Sequence, residues 1–249
     1  MNEQELCKKR LVDLAKQANR KGIVLFSDFL NLNEQNIYHQ TKSQLEAQTE
    51  TFGGMESAER QMVAFLPDAL YYEWDYPISC LKIEPSYPKF AEKLTHRDIL
   101  GSIMNLGVER SKLGDIILDK DAAYFFCEEG MAAYFLENLE KIKHTLVKVS
   151  VADASEVAFH QTFQEKSGII TSNRIDSVVA CVYQLSRSKA SELIRAEKVF
   201  VNGKAMLSNT YCCKEGEIVS VRGMGRFVYE GCSGETQKGR LRIQYKIYG

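Results

Sequence analysis

Residues 174–203 read RIDSVVACVYQLSRSKASELIRAEKVFVNG, and this stretch decides the fold of the C-terminal part of the chain. From Ile175 to Val182, apolar residues recur at the i, i+3, i+4 and i+7 positions, which predicts a short helix. Ser186 is suited to begin a second helix, because its hydroxyl can accept a free backbone amide of the first turn. The expected inward face of that helix is Ala190, Leu193 and Ile194. Asn202-Gly203 is a strong tight-hairpin signal, so two helices followed by a small antiparallel sheet are predicted.

The flanking residues extend this pattern. Upstream, Asn173 is predicted to cap the first helix, with Asp176 completing a capping box. Downstream, residues 218–221 predict a strand that ends at Gly223. A final strand is indicated by alternation of Leu241, Ile243, Tyr245 and Ile247 with Arg240, Arg242, Gln244 and Lys246. The basic face of this strand could contact a ligand of opposite charge, or it could keep an edge strand soluble. Residues 152–171 predict a less regular connector.

Charge divides the chain into two parts. From Ser172 onward there are thirteen basic and seven acidic residues, a net charge of +6, whereas residues 1–171 carry −7. Such an opposition in net charge between two parts of a chain indicates that the basic part binds a polyanion. Charge alone does not identify that polyanion.

The basic residues of the tail concentrate around one helix start and one glycine bend. Arg187 and Lys189 fall in the first turn of the second predicted helix, where free amides and the helix dipole already favour phosphate. Arg174, at the start of the neighbouring helix, could converge on the same surface. Arg222 and Arg226 flank a bend with two glycines, where a polyanion can approach the backbone closely. Arg195 and Lys198 could belong to this cationic surface or to a solvated helix face, and the sequence favours neither.

The first 160 residues predict two further blocks. In residues 1–76, the pattern indicates an amphipathic helix over 1–20, a helix over 28–46 and a buried strand over 62–66. In residues 77–160 it indicates the order β-α-β-β-α-β, which is typical of ferredoxin-like RNA-binding modules, although the aromatic strand motif of the RRM class is missing.

Three features of the second block concern its helix starts, turns and charges. Thr95 and Asp98 resemble a capping box at the first helix, where His96 is expected to be a helix-start residue, not a catalyst. Lys120-Asp121 is expected to form the turn between the two middle strands. The sequence leaves open whether this block has a second RNA-binding surface. The candidate residues for such a surface are Arg97, Arg110 and Lys112.

These motifs resemble a known family. Residues 174–203, together with EGEIVSVRG at 215–223, resemble the RNA-binding domain named after ribosomal protein S4. LTHRDILG at 94–101, LGVER at 106–110 and GDI at 114–116 are similar to the middle domain of the YlmH family, and AERQMVAFLP at 58–67 resembles its N-terminal domain.

The resemblance implies an α+β protein of three small domains. These are an α/β N-terminal domain over residues 1–76, a ferredoxin-like (RRM-like) β-α-β-β-α-β middle domain over 77–160, and an S4-type domain of two helices and a small twisted antiparallel sheet over 172–249. With the charge argument, it predicts an RNA-binding set of Arg174, Ser186, Arg187, Ser188, Lys189, Arg195, Lys198, Lys204, Arg222 and Arg226.

The function implied by the family is non-catalytic. It is the binding of ribosomal RNA and tRNA on the large ribosomal subunit, in rescue of stalled ribosomes by alanine tailing of the nascent chain; a cell-division scaffold is an alternative. Another alternative is an RNA-modifying enzyme of the pseudouridine synthase or methyltransferase type, although no Gly-rich cofactor loop or nucleophile–histidine pattern is found. The chain is expected to be a cytoplasmic monomer without cofactor, metal or small-molecule substrate.

Composition excludes several other classes. No apolar run approaches the roughly 18–20 residues that cross a bilayer, and the polar, acidic first residues do not resemble a signal peptide. The seven cysteines contain no Cys-x-x-Cys pair, and their odd number fits a reducing compartment.

Overall fold

The computed structural model describes residues 3–55, 58–119, 122–157 and 163–248. The chain is a mixture of α-helices and β-sheets and divides into two compact units, residues 1–159 (unit 1) and 160–249 (unit 2). Within the described ranges, no helix is both long and apolar enough to cross a membrane. The turn predicted at Lys120-Asp121 lies outside the described residues.

Unit 1 begins with two helices packed on a three-stranded antiparallel sheet of order β1-β3-β2. The elements are α1 (Glu3–Lys21), β1 (Leu25–Phe26), α2 (Leu32–Thr41), β2 (Gln48–Phe52) and β3 (Met62–Leu66). The predicted first helix and the predicted strand are confirmed. The second helix is shorter than predicted because Asn31 caps it, accepting the amides of Asn33 and Glu34. The core behind the sheet includes Leu11, Tyr38 and Phe65.

The rest of unit 1 has the predicted β-α-β-β-α-β order with one short extra strand. Its elements are β4 (Ile78–Pro85), α3 (His96–Asn105), β5 (Leu113–Leu118), β6 (Ala123–Glu128), α4 (Glu129–Asn138), β7 (Lys141–Ile142) and β8 (Thr145–Ala152). The sheet order is β5-β6-β4-β8-β7. The capping box at α3 is confirmed: the amide of Asp98 donates to the Thr95 hydroxyl, and the amide of Thr95 donates to the Asp98 carboxylate.

The two sheets of unit 1 share a buried apolar cluster. Met62 of the three-stranded sheet and Phe29, which follows β1, pack against Cys80, Tyr124 and Phe126 of the five-stranded sheet. A half-buried pair of charged side chains lies beside this cluster. Asp115 accepts the backbone amides of Glu59 and Arg60, and the Arg60 guanidinium donates to the carbonyls of Phe29 and Leu113. The sequence boundary at residue 76 therefore falls inside one compact unit and stays a prediction.

Unit 2 is a six-stranded antiparallel sheet with two helices. Its elements are β9 (Phe163–Ile170), α5 (Ile175–Val182), α6 (Arg187–Arg195), β10 (Val199–Val201), β11 (Lys204–Ala205), β12 (Glu217–Val221), β13 (Gly225–Glu235) and β14 (Leu241–Tyr248). The strand order is β11-β10-β12-β13-β14-β9. Both predicted helices are confirmed, and the hairpin turn has positive φ at Asn202 (48°) and Gly203 (75°), as the favoured two-residue turn requires.

Two predictions for unit 2 were wrong. The stretch predicted as a connector contains β9, which pairs with β14 over eight residues from Phe163↔Tyr248 to Ile170↔Leu241. The final strand is therefore interior, not an edge, because β14 also pairs with β13. Its basic face carries Lys246, which forms ion pairs with Glu230 and Glu165.

Candidate nucleic-acid interface

A buried carboxylate connects the two helices of unit 2. The side chain of Asp176, 5% exposed, lies in the first turn of α5. Nε and Nη2 of Arg187 donate to its Oδ2 at 3.2 and 3.1 Å, and Nη2 of Arg174 donates to the same oxygen at 3.2 Å. One carboxylate thus orients two guanidinium groups from two helix starts, and the group keeps a net charge of +1.

This geometry corrects the predicted capping of α5. The N-cap is Arg174, without a side-chain capping bond, and the Asn173 side-chain amide instead donates to the carbonyl of Cys213 at 2.7 Å. Asp176 does not complete a box with Asn173. Its carboxylate is turned toward the arginines because α6 packs beside α5 and brings Arg187 within reach.

The first turn of α6 has the predicted N-cap. The Ser186 hydroxyl accepts the amide of Lys189 at 3.1 Å, which caps the helix. Nζ of Lys189 pairs with Glu192 at 2.9 Å, and both side chains are about 60% exposed. Such an exposed pair contributes little to stability. The hydrogen bond from Lys189 lowers the pKa of Glu192.

Two clefts adjoin along α6 and share Arg195. The first, of about 330 Å³, is lined by Asp176, Arg187, Ser188, Ser191, Glu192 and Arg195. The second, of about 380 Å³, is lined by Arg195, Ala196, Glu197, Phe200, Ala205 and Arg222. The arginines at the clefts, Arg187, Arg195 and Arg222, are all exposed. Both clefts are shallow and charged, which does not suit an apolar small molecule. Their lining matches three arginines with three carboxylates, and the surplus positive charge of this surface comes from the neighbouring Lys189, Lys198 and Lys204.

The β12–β13 bend contributes a cation and an aromatic ring to the second cleft. The Arg222 guanidinium lies 5.6 Å from the ring centroid of Phe200, within the range of a cation–π interaction. Its backbone amide donates to the Lys198 carbonyl at 2.8 Å, which ties the bend to the end of α6. Gly223 and Gly225 have φ of 84° and 104°, as the predicted glycine bend requires. Arg226 is half-buried and pairs across the strands with Ser220.

The structure brings together most of the predicted RNA-binding set. Arg174 and Arg187 share one carboxylate, while Ser188, Arg195 and Arg222 line the clefts. Lys198 and Lys204 are exposed beside residues that line the second cleft. The sequence analysis missed the orienting role of Asp176 and the ring of Phe200. Phe200 alternates along β10 with the core residues Val199 and Val201, so its ring lies on the opposite face of the strand. An aromatic residue on that face was the signal that the sequence offered.

The predicted second surface in unit 1 is assembled differently. Arg97 is exposed on the first turn of α3. Nη1 of Arg110 donates to the carbonyls of Leu113 and Gly114, and burial, then the nearby Arg60, lowers its pKa to about 10. Lys112 forms ion pairs with Asp28 at 3.1 Å and Glu128 at 2.6 Å. Arg110 and Lys112 are therefore engaged in contacts within unit 1.

No metal centre is found among the described residues: none of them form a group of three or more His, Cys, Asp or Glu side chains suited to hold an ion. The cysteines described there are free thiols.

Comparison with known proteins gives three matches. Residues 72–156 match the family model described as "Putative RNA-binding domain in YlmH". Over 225 residues the chain is 27% identical to "Ribosome-associated protein quality control protein P2" of Bacillus subtilis (strain 168), covering 88% of this chain and 86% of that protein. The solved structure of "Cell division protein ylmH from Streptococcus pneumoniae" aligns with a TM-score of 0.52 at 25% identity, covering 63% of this chain and 95% of the other. These matches confirm the relationship to the YlmH family that the sequence motifs indicated.

Proposed function

We propose that this protein is a non-catalytic, ribosome-associated RNA-binding protein, and that the cationic surface along α6 binds structured RNA. The observation that carries this proposal is the continuity of the two clefts, which share Arg195 and present arginines from α6 and from the β12–β13 bend. The RNA-binding description of the matched family model and the name of the Bacillus subtilis relative both support it.

The chemistry of the clefts fits folded RNA. A-form RNA presents phosphates, 2′-hydroxyls and overall shape, since its deep major groove is not accessible to side chains. Arginine can hold phosphate oxygens in a bidentate manner, and Asp176 keeps Arg187 in one orientation before any RNA arrives. An oriented cation loses less conformational freedom on binding than a mobile one, which favours a ligand of matching shape.

The finer proposal follows the family. Unit 2 contains an S4-type domain and unit 1 the N-terminal and ferredoxin-like domains, and the RNA is ribosomal RNA and tRNA on the large subunit. The biological role is rescue of stalled ribosomes, in which the nascent chain is extended with alanine. The words "quality control" in the name of the Bacillus subtilis relative support this role. Cells that lack the gene should then lose alanine extensions on truncated nascent chains, and regain them with the intact gene.

The direct test measures sedimentation with purified large subunits over a series of salt concentrations. Arg195→Ala combined with Arg222→Ala should weaken binding and reduce the salt slope by about one unit for each lost phosphate contact. The matched control is Lys238→Ala with Arg240→Ala, which removes two exposed charges of unit 2 that line neither cleft. An equal loss in the control would mean that net charge, not the clefts, determines binding.

A scaffold in cell division is the second candidate, favoured by the name of the Streptococcus pneumoniae relative. It predicts enrichment of the tagged protein at the division site. A uniform distribution that follows ribosomes would rule it out.

A further inference from the structure

Four aromatic rings contact one another on unit 1, and one of them, Tyr76, also packs against the apolar cluster that the two sheets share. Phe26 of β1 and Phe52 of β2 contact Tyr76, with ring centroids 5.6 and 5.4 Å apart. Trp74 contacts both Phe26 (5.8 Å) and Tyr76 (5.2 Å). None of the four side chains is fully buried, and Phe52 is 36% exposed. Half-buried rings that contact one another beside an exposed one offer apolar surface to a partner.

The segment before Trp74 extends this exposed aromatic area. Tyr71 is 93% exposed and Tyr72 is 47% exposed. The Tyr72 hydroxyl accepts the backbone amide of Val24 at 2.7 Å, which holds the segment against β1. A fixed segment that leaves large rings in solvent presents them to a partner without a large ordering cost.

Carboxylates surround these rings. Glu73 and Asp75 flank Trp74 and are exposed, and Glu50 is exposed on β2. Glu50 lies close enough to the Tyr76 hydroxyl to contribute, after burial, to raising the pKa of that group. In the part of the chain that the structure describes, none of these three acids forms an ion pair. Residues 61–81 contain three acids and no lysine, arginine or histidine. RNA would be repelled here.

We propose that this aromatic–acidic patch, formed by the four rings with Glu50, Glu73 and Asp75, binds an arginine- or lysine-rich segment of another protein. Guanidinium and ammonium groups stack on the faces of Trp and Tyr, and the flanking carboxylates pair with the same cations. The patch belongs to unit 1 alone, so the proposal does not depend on RNA binding by unit 2.

The patch contains its own reporter, because Trp74 is the single tryptophan of the chain. The full chain is titrated with a short arginine-rich peptide, and quenching of Trp74 fluorescence by acrylamide is measured. The peptide should protect Trp74 in a saturable, salt-sensitive manner. The same peptide with every arginine replaced by glutamine should give no protection.

Two matched variants locate the interaction. Glu73→Gln with Asp75→Asn should weaken binding about fivefold, since each exposed pair contributes about 0.5 kcal/mol. Glu137→Gln with Glu140→Gln removes the same charge from exposed positions elsewhere in unit 1 and should leave the affinity unchanged. The proposal is overturned if the peptide does not protect Trp74, if the neutral peptide or an RNA hairpin protects it equally, or if both variants behave alike.

Discussion

Replacing Asp176 with asparagine tests whether the orientation of the arginines matters for RNA recognition. Asparagine has the same shape but no charge, so α5 keeps its packing while Arg174 and Arg187 lose their shared carboxylate. The change also raises the net charge of unit 2 by one, which attracts any RNA. The informative quantity is therefore the ratio of the affinities for a folded and an unfolded RNA, because the added attraction is common to both and cancels.

The magnitude follows from the geometry. The Asp176 carboxylate is 5% exposed and receives hydrogen bonds from both arginines, whose side chains are 36% and 49% exposed. Without this anchor, each guanidinium must be ordered during binding, at a cost of about 0.5–1.5 kcal/mol per side chain. For two arginines this is about 1–3 kcal/mol, and a tenfold change corresponds to about 1.4 kcal/mol. We expect the affinity ratio to fall about tenfold.

The assay compares binding to purified large subunits with binding to polyuridylate at one salt concentration. Glu235→Gln is the control, since it makes the same charge change at an exposed position on β13. The ratio should fall in Asp176→Asn and stay constant in Glu235→Gln. A constant ratio in both variants, with only a uniform increase in affinity, would refute the orienting role of Asp176.

Three further predictions concern the fold, the second cleft and the buried charges. Gly168→Ala should cost about 1–3 kcal/mol in chemical unfolding, because the new Cβ would lie 2.3 Å from Sγ of Cys181; no loss would mean that β9 does not pack on α5. Phe200→Leu should weaken large-subunit binding about threefold through loss of the cation–π contact with Arg222, and unaltered binding would remove the ring from the interface. Burial raises the pKa of Asp115 to about 6, against about 4 in an unfolded chain. The folded state therefore holds the proton more tightly, and the stability of the parent relative to Asp115→Asn should fall as the pH rises from about 4 to 6, by at most about 3 kcal/mol; a pH-independent difference would contradict the raised pKa.

The elements that could be predicted are those specified by local chemistry. α5 and α6 follow from apolar spacing, and their inward residues Val178 and Ala190 are fully buried. Ser186 caps α6 because a hydroxyl just before a helix can accept a free amide. The Asn202-Gly203 turn follows from backbone conformations that few other residues adopt. None of these inferences needs a partner distant in sequence.

The missed strands depend on distant partners. Of the side chains described in β9, only that of Ile170 is fully buried, so residues 163–170 lack a clear apolar alternation and form a strand because β14 supplies eight paired residues. β13 contains three glycines, its first residue Gly225 and then Gly231 and Gly234, and its register with β14 shifts twice. Glycines and bulges weaken the periodic signal that identifies a strand.

In the candidate site, too, the features set by neighbouring residues could be predicted, and those set by packing of distant residues could not. The positions of Arg187 and Lys189 follow from the start of one helix. The role of Asp176 does not, because Arg187 lies eleven positions further along the chain and only the packing of α6 beside α5 brings the two together. A carboxylate near a helix start is more often a cap, and the sequence offered no means to distinguish a cap from an orienting group.

In unit 2 the sequence analysis missed a role, whereas in unit 1 it predicted RNA-binding cations that are engaged in contacts within the unit. Arg110 and Lys112 resemble Arg187 in sequence context, yet Arg110 donates to backbone carbonyls and Lys112 pairs with two carboxylates. A cation contributes to RNA binding only if phosphate is its best available partner, and backbone carbonyls or acids from the same unit compete for it. In unit 2, the shared Asp176 leaves surplus positive charge, whereas in unit 1 Lys112 is fully matched. Counting cations therefore overestimates an RNA surface wherever carboxylates outnumber them, as they do in residues 1–171.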